Sequence, residues 1–402
     1  MRSNGWGQIP LAEVLAEPIR NGVSPVESQA WTGVRMLGLG CLTGEGFQPS
    51  QLKNAPSATY GSHSALLRDG DLLISRANTR NLVGLAGIYR DVGGPCIYPD
   101  LMMRLRTSPR YLPEFLELVL RAPRIRQRIA IMAQGTSESM VKISGGMLGS
   151  LLIPDVPIDE QRRIVEVVRV VSVHERAIGA SIAKLRGMRQ GVLFASMASA
   201  DGREVQPGWT RTRLKEVVPK VEYGTSEALS RDSQGIPVLR MNNLEDGKPE
   251  LSELRYCPVL VPHRLELRHG DVLFNRTNSI DHIGKSGMWR SEIPRATFAS
   301  YLVRINPDPS RLIPEYLVEW LMHPLIRQRV RSISTVAVQQ VNVNPTRLCE
   351  LEIDMPADPT EQRRIVDALY ACDEQIEGER AELAKLRALK TGLVDDLLTG
   401  RV

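Results

Sequence analysis

Long apolar runs are missing from this chain. Nowhere does a hydrophobic stretch reach the 18 or so residues that a membrane-spanning helix needs. The first ten residues, Met1 to Pro10, also lack the basic-then-apolar layout of a secretory signal, so a cytoplasmic protein with no membrane partner is expected. Cysteine is scarce: Cys41, Cys96, Cys257, Cys349 and Cys372 stand singly and far apart, which excludes the paired spacing of a structural zinc site and fits buried thiols in a reducing compartment. Aromatic residues make up 5%, few for a protein that stacks single-stranded bases. Neither charge dominates, since 51 Lys plus Arg oppose 46 Asp plus Glu; the net +5 permits a polyanionic partner without requiring one. What is present, 42% hydrophobic residues over 402 positions, suits two to three ordinary folded domains.

The chain is written twice. Glu160-Gln161-Arg162-Arg163-Ile164-Val165 returns as Glu361-Gln362-Arg363-Arg364-Ile365-Val366, and Ala183-Lys184-Leu185-Arg186 returns as Ala384-Lys385-Leu386-Arg387. Upstream, Gly70-Asp71-Leu72-Leu73-Ile74-Ser75-Arg76-Ala77-Asn78 matches Gly270-Asp271-Val272-Leu273-Phe274-Asn275-Arg276-Thr277-Asn278. A period near 200 residues is far longer than the roughly 20 to 50 of a solenoid, so a duplicated domain pair with pseudo-twofold symmetry is expected.

Each half has two parts. From Asp159 and from Thr360 onward, apolar residues recur at steps of three, four or seven: Ile164, Val168, Val171, Ile178, Ile182, Leu185 and Val192, then Ile365, Leu369, Cys372, Ile376, Leu383, Leu386, Leu393 and Leu397. That pattern predicts two long coiled-coil helices, with Asp159 and Thr360 as candidate N-caps. Ahead of each rod, short apolar runs such as Asp71 to Ser75 and Asp271 to Asn275 predict strands, and Pro113 to Ala133 and Pro314 to Ser334 predict helices broken at Pro123 and Pro324. The globular parts therefore read as mixed α+β. The boundaries follow as 1–158, 159–198 for the first rod, 199–359 including a linker at Ala198 to Gly208, and 360–402 for the second rod and tail.

This order of globular part, helix opening with the Glu-Gln-Arg-Arg-Ile-Val repeat, second globular part and second such helix resembles the DNA-specificity subunit of Type I restriction-modification systems. The stretch Ala384 to Leu393 and on to Gly400 is similar to the family's distal helix, and the Gly-Asp-apolar segments ending at Asn78 and Asn278 resemble its target-recognition domains. The resemblance covers essentially the whole chain. It implies a noncatalytic subunit with two target-recognition domains, each reading half of a split double-stranded DNA sequence, held apart by an antiparallel coiled coil. It also implies docking of two methyltransferase subunits, which would carry S-adenosylmethionine, with translocase-nuclease subunits as further partners; this chain itself would bind no cofactor. A structural adaptor of a defence complex, without its own sequence readout, is the competing reading.

Under that resemblance Arg76, Asn78, Arg276 and Asn278, just past a predicted strand, are candidate base or phosphate contacts, because Arg pairs with guanine and Asn with adenine in bidentate geometry. A turn-stabilising Asn beside a surface Arg is the plainer alternative. Arg35 and Arg240, in Val34-Arg35-Met36 and Leu239-Arg240-Met241, are further candidates, with a structural salt bridge as competitor. The polar segments holding Gln134, Ser137 and Ser139, and Gln339, Gln340, Asn342 and Asn344, complete the DNA-contact set. Arginines on the shorter helices, among them Arg121, Arg124, Arg126, Arg128, Arg327, Arg329 and Arg331, suit phosphate contacts or plain surface charge. Glu160, Arg162, Arg163, Glu361, Arg363 and Arg364 are the candidate methyltransferase-subunit interface, or ordinary solvated helix ends.

Catalytic motifs fail on inspection. Gly284-Lys285-Ser286 follows Ser279 where a P-loop needs its first glycine, and Asp246-Gly247-Lys248 reads as a turn rather than a nuclease motif. The six histidines show no metal spacing, so no catalytic or metal-ligating residue is assigned.

Overall fold

The computed structural model describes residues 5–135, 140–197, 204–337 and 340–400. Two compact units divide the chain: Met1–Gly179 with Ala381–Val402, and Ala180–Arg380. The division falls inside both long helices, Ile158–Met197 and Pro359–Thr399, so each unit contains one globular part and half of each helix.

In the first unit, strand Gly7–Pro10 closes antiparallel on Leu152–Asp155 and ties the ends of the globular part together. Between them lies a four-stranded antiparallel sheet in the order Arg20–Asn21, Met102–Leu105, Leu72–Ser75, Ala86–Ile88. A three-stranded sheet holds Arg35–Leu37 between Cys96–Ile97, which is parallel to it, and Leu52–Asn54, which is antiparallel. The second unit repeats the plan: Trp209–Arg213 closes on Glu352–Pro356, the four-stranded sheet runs Glu222–Tyr223, Leu302–Arg304, Val272–Asn275, Ser286–Met288, and the three-stranded sheet centres on Ile236–Leu239.

The apolar run after each Gly-Asp pair is buried on both faces, because successive side chains alternate across a strand. Leu72 and Ile74 enter one core and Leu73 the other; Val272 and Phe274 separate from Leu273 in the same way. The Gly-Asp pair itself is a clamp. Gly70 and Gly270 adopt φ of +89° and +87°, which a side chain resists. The next residue's carboxylate then accepts the Arg68 or Arg268 backbone N–H at 2.9 Å, and takes the Arg106 guanidinium at 2.7 Å or that of Arg304 at 2.7 Å.

Proline divides the shorter helical segments as expected. Helices Pro113–Arg121 and Pro123–Met132, and Pro314–Met322 and Pro324–Ser332, each begin with proline at a position whose missing N–H costs nothing. The long helices begin one residue before the expected caps, at Ile158 and Pro359. Asp159 therefore lies in the first turn, and Asp358 rather than Thr360 accepts a backbone N–H there, that of Thr360 at 2.8 Å.

Along the first rod, positions 161, 164, 168, 171, 175, 178, 182, 185 and 189 are buried or half-buried, alternating by four and three as a coiled-coil seam requires. Within the first unit the early part of this helix packs antiparallel on the late part of the other; in the second unit the roles exchange. Charge is built into the seam. Lys390 donates to Glu175 at 2.6 Å in the first unit, and Arg189 donates to Asp373 at 2.6 Å and to Glu319 at 3.0 Å in the second. Polar seam residues fix register at some cost in stability. Near the rod ends the buried positions slip by one from the expected stripe, to Leu193, Val366 and Leu398, where the helices turn their sides to the globular cores.

Gln161 and Gln362 are fully buried at the start of each rod. The Gln161 carbonyl accepts the Leu112 N–H at 2.8 Å, while its amide donates to the Arg110 and Val156 carbonyls at 3.0 and 2.7 Å. Gln362 repeats the set with Ile313 N–H, Arg311 carbonyl and Pro356 carbonyl at 3.0, 2.8 and 2.9 Å. Replacing either by Ala strands three backbone groups. At about 1–3 kcal/mol for each such group, Gln161→Ala or Gln362→Ala should cost roughly 3 kcal/mol or more. Thermal unfolding followed by calorimetry should show the affected unit melting roughly 6–12 °C lower. A shift within 1 °C of wild type would show that the amide does not latch the rod.

Candidate nucleic-acid interface

In both units the chain leaves the buried strand at an arginine and starts a second, two-residue strand. In the second unit, Thr277–Asn278 pairs with Gln340–Asn342, which also pairs with Thr335–Ala337. Asn278 thus shares one small sheet with Gln340 and Asn342, more than 60 residues on, and the Arg276 carbonyl, just before the first strand, accepts the Val343 N–H at 2.8 Å. In the first unit Ala77–Asn78 pairs with Val141–Lys142, and Gln134 bridges Lys142 through two backbone hydrogen bonds of 2.9 and 2.8 Å. Arg76, Asn78 and Gln134 therefore meet as well, with Lys142 standing where the second unit has Asn342. Ser137, Ser139 and Gln339 lie outside the described residues.

The two strips hold their groups differently. The Arg76 guanidinium donates to the Asp100 carbonyl at 3.3 Å. Arg276 instead stacks over the half-exposed Tyr223 ring at 5.2 Å, and its Nε is buried with no partner. The Asn78 and Asn278 side-chain oxygens each accept the next residue's N–H at 2.8 Å, so the turn-stabilising role anticipated for them is real; the Asn278 amide also reaches the Met241 carbonyl at 3.4 Å. Asn342 accepts the Thr277 hydroxyl, whereas Gln340 and Gln134 are exposed.

Three expectations change in the structure. Arg35 and Arg240 are not equivalent: Ile97 pairs with Met36 in the parallel register and its counterpart Thr297 pairs with Val238, so Arg35 corresponds to Pro237, three residues before Arg240. Arg35 stacks on exposed Trp31 at 5.3 Å, and Arg240 donates to the Glu253 carbonyl at 2.7 Å, so neither makes the salt bridge of the competing reading. Asn344 stands apart from the other amides, because its side-chain oxygen caps helix Pro345–Cys349 through the Thr346 N–H at 2.9 Å. Several arginines of the shorter helices are structural: Arg121 donates to Gly44 and Arg327 to Asp281 carbonyls at 2.8 and 3.0 Å, Arg126 to Val83 and Asn81, and Arg124 pairs with Asp395 at 3.0 Å.

At the rod starts, Arg163 bonds Glu160 at 3.1 Å, Arg162 bonds Asp159 at 2.8 Å and Arg364 bonds Glu361 at 3.0 Å, all exposed and three residues apart. Arg363 reaches Glu315 at 2.7 Å. These groups remain on the surface, already paired within the chain. Sequence reasoning missed Tyr223, Trp31 and Lys142, since a lone aromatic or lysine carries no motif. Asp246 and Gly247 have φ of 45° and 77°, a tight hairpin turn that accounts for the Asp-Gly-Lys triplet. Among the described residues no group of three or more His, Cys, Asp or Glu could hold a metal ion, and no helix is long and apolar enough to cross a membrane.

Residues 207–388 match the model of the Type I restriction modification DNA specificity domain. The MjaX type I restriction enzyme specificity subunit of Methanocaldococcus jannaschii is 26% identical over 199 residues, 49% of this chain and 47% of that protein. The EcoKI specificity subunit of Escherichia coli is 24% identical over 204 residues, 48% of this chain and 44% of that one. The chain spans about half the length of the curated relatives it matches. Three solved chains share the fold over 99% of this chain: one from a study of complex assembly and conformational transition of the type I R-M system (TM-score 0.64, 19% identity, 98% of that chain), the Type I restriction-modification S subunit from M. genitalium (0.57, 14%, 97%), and the HsdS subunit from Thermoanaerobacter tengcongensis (0.50, 20%, 97%). With its duplicated mixed α+β parts and its paired long helices, the chain is similar to Type I restriction-modification specificity subunits, in sequence over about half its length and in fold over nearly all of it.

Proposed function

We propose that this chain is the noncatalytic subunit that recognises a bipartite double-stranded DNA sequence for a cytoplasmic Type I restriction-modification complex. The observation that carries this reading is the polar strip present once in each unit, where guanidinium, amide and lysine groups from distant segments gather on one small sheet. Such groups match the donor and acceptor edges of bases in the major groove. The strips share a scaffold and differ in their side chains, as two readers of two different half-sites would. The long helices, about 60 Å each at 1.5 Å per residue, would serve as a ruler, so that unread bases between half-sites are counted by geometry.

The exposed rod starts, with Glu160, Arg162, Arg163, Glu361, Arg363 and Arg364, would dock two methyltransferase subunits; those would bind S-adenosylmethionine and modify adenine, with translocase-nuclease subunits joining the assembly. This chain's own residues select and position the DNA.

Co-expression with its methyltransferase subunit in a methylation-free host, followed by single-molecule mapping of N6-methyladenine, should reveal a split motif with a constant unread gap. A stable complex that leaves the DNA unmethylated, or methylates without a split motif, would favour the adaptor reading. Within that assay Arg276→Ala should weaken recognition of one half-site by about 1–3 kcal/mol and leave the other intact. Tyr223→Ala, which removes the ring under Arg276, should cost about 1 kcal/mol at the same half-site, and Tyr223→Phe should retain most of it. Unchanged selectivity in Arg276→Ala and Tyr223→Ala would remove this strip from base readout.

A further inference from the structure

Three guanidinium groups line one recess of the second unit. Arg231, Arg240, Glu253, Leu254 and Arg255 surround about 310 Å³. Two neighbouring strands bring the arginines together: Arg255 opens strand Arg255–Cys257 and lies opposite Val238, while Arg240 follows the end of strand Ile236–Leu239. Arg231 is exposed on the adjoining loop, which is pinned by backbone hydrogen bonds of 2.8 and 3.0 Å between Ser230 and Tyr256.

Among the described residues none of the three arginines forms an ion pair. Arg240 gives one N–H to the backbone carbonyl of Glu253, and its Nε is buried without a partner. The single carboxylate at the recess, that of Glu253, is exposed and bonds none of them. Burial and the nearby Arg255 charge both push the Arg240 guanidinium below its usual value, with the Glu253 charge opposing them less strongly. Like charges gathered without a counter-ion destabilise a fold, and an anion placed among them reverses the sign. The recess offers donors and almost no acceptors, which suits a phosphate oxygen and not a base edge.

We propose that this recess grips one backbone phosphate of duplex DNA beside the strip that carries Arg276 and Asn278. The proposal rests on the DNA-recognition reading and extends it to residues outside the strip. Placement supports it: Met241, the residue after Arg240, accepts the Asn278 amide at 3.4 Å and the Asn275 amide at 2.8 Å, so recess and strip adjoin. At the corresponding strand pair the first unit has Lys53 opposite Met36 where the second has Arg255 opposite Val238, and Lys53 is already paired with Glu27 at 2.8 Å, so the grip belongs to the second unit.

The test measures binding of the full chain to a fluorescein-labelled random-sequence duplex across a range of KCl concentrations. Neutralising one phosphate contributes about 0.9 to the slope of log affinity against log salt. The double variant R231Q/R255Q should therefore lose about one unit of slope and bind roughly tenfold more weakly, equally for random and target duplexes. Arg231→Gln alone, at an exposed loop position, should move both readouts the same way, which keeps the test valid if the double variant folds poorly. Slopes and affinities equal to wild type in Arg231→Gln and the double variant would overturn the grip while leaving DNA recognition standing. A wild-type chain that binds no duplex at low salt would overturn both.

Discussion

A buried glutamine amide fastens each long helix to its globular part, and the remaining architecture depends on it. Gln161 and Gln362, themselves fully buried, each satisfy one backbone N–H and two carbonyls. Each amide spans the turn that ends the last strand and the loop that starts the first proline-led helix, so the rod leaves its globular part in one direction. A leucine there would fill the space and strand all three groups. The seam charges act next along the rod. Glu175 with Lys390, and Arg189 with Asp373, replace apolar contacts at seam positions and so penalise a slipped register, and Arg189 also reaches Glu319 on helix Pro314–Met322 of the globular part.

The proposed function rests on what the sheets present. Each unit uses the same device: a fully buried strand, an arginine, and a two-residue strand that leaves the main sheet to meet a distant segment. The device is shared and the groups are not. A carbonyl holds Arg76 where a tyrosine ring holds Arg276, and Lys142 stands where the second unit has Asn342. Differences of this kind, confined to exposed polar positions over a common core, are what two independent half-site readers require.

Much of this was legible in the sequence because it rests on periodicity. The duplication, the rods, the helix breaks at Pro123 and Pro324 and the strands after Gly70 and Gly270 all follow from spacing, and the structure has each of them. Side-chain partners were not legible, since they depend on contacts between segments far apart in the chain. The Glu-Gln-Arg-Arg repeat drew attention to its charges, yet its buried member is the glutamine. A polar residue repeated at a seam position was the available signal. Asn344 looked like one amide among four and is a helix cap, a role set by the proline that follows it. Arg35 and Arg240 stood side by side as candidates, and strand register places them three positions apart. Arg121, Arg126 and Arg327 suited phosphate contacts or plain surface charge, and their guanidinium groups close loops.

If the rods act as the proposed ruler between two readers, changing their length tests the proposal most directly. Deleting seven residues from each long helix at matching positions removes two helical turns and keeps the seam in phase, shortening the rod by about 10 Å. At 3.4 Å per base pair, mapping of methylated sites should show both half-sites unchanged and the unread gap shorter by about three base pairs. A variant that methylates the same half-sites across the original gap would contradict the account.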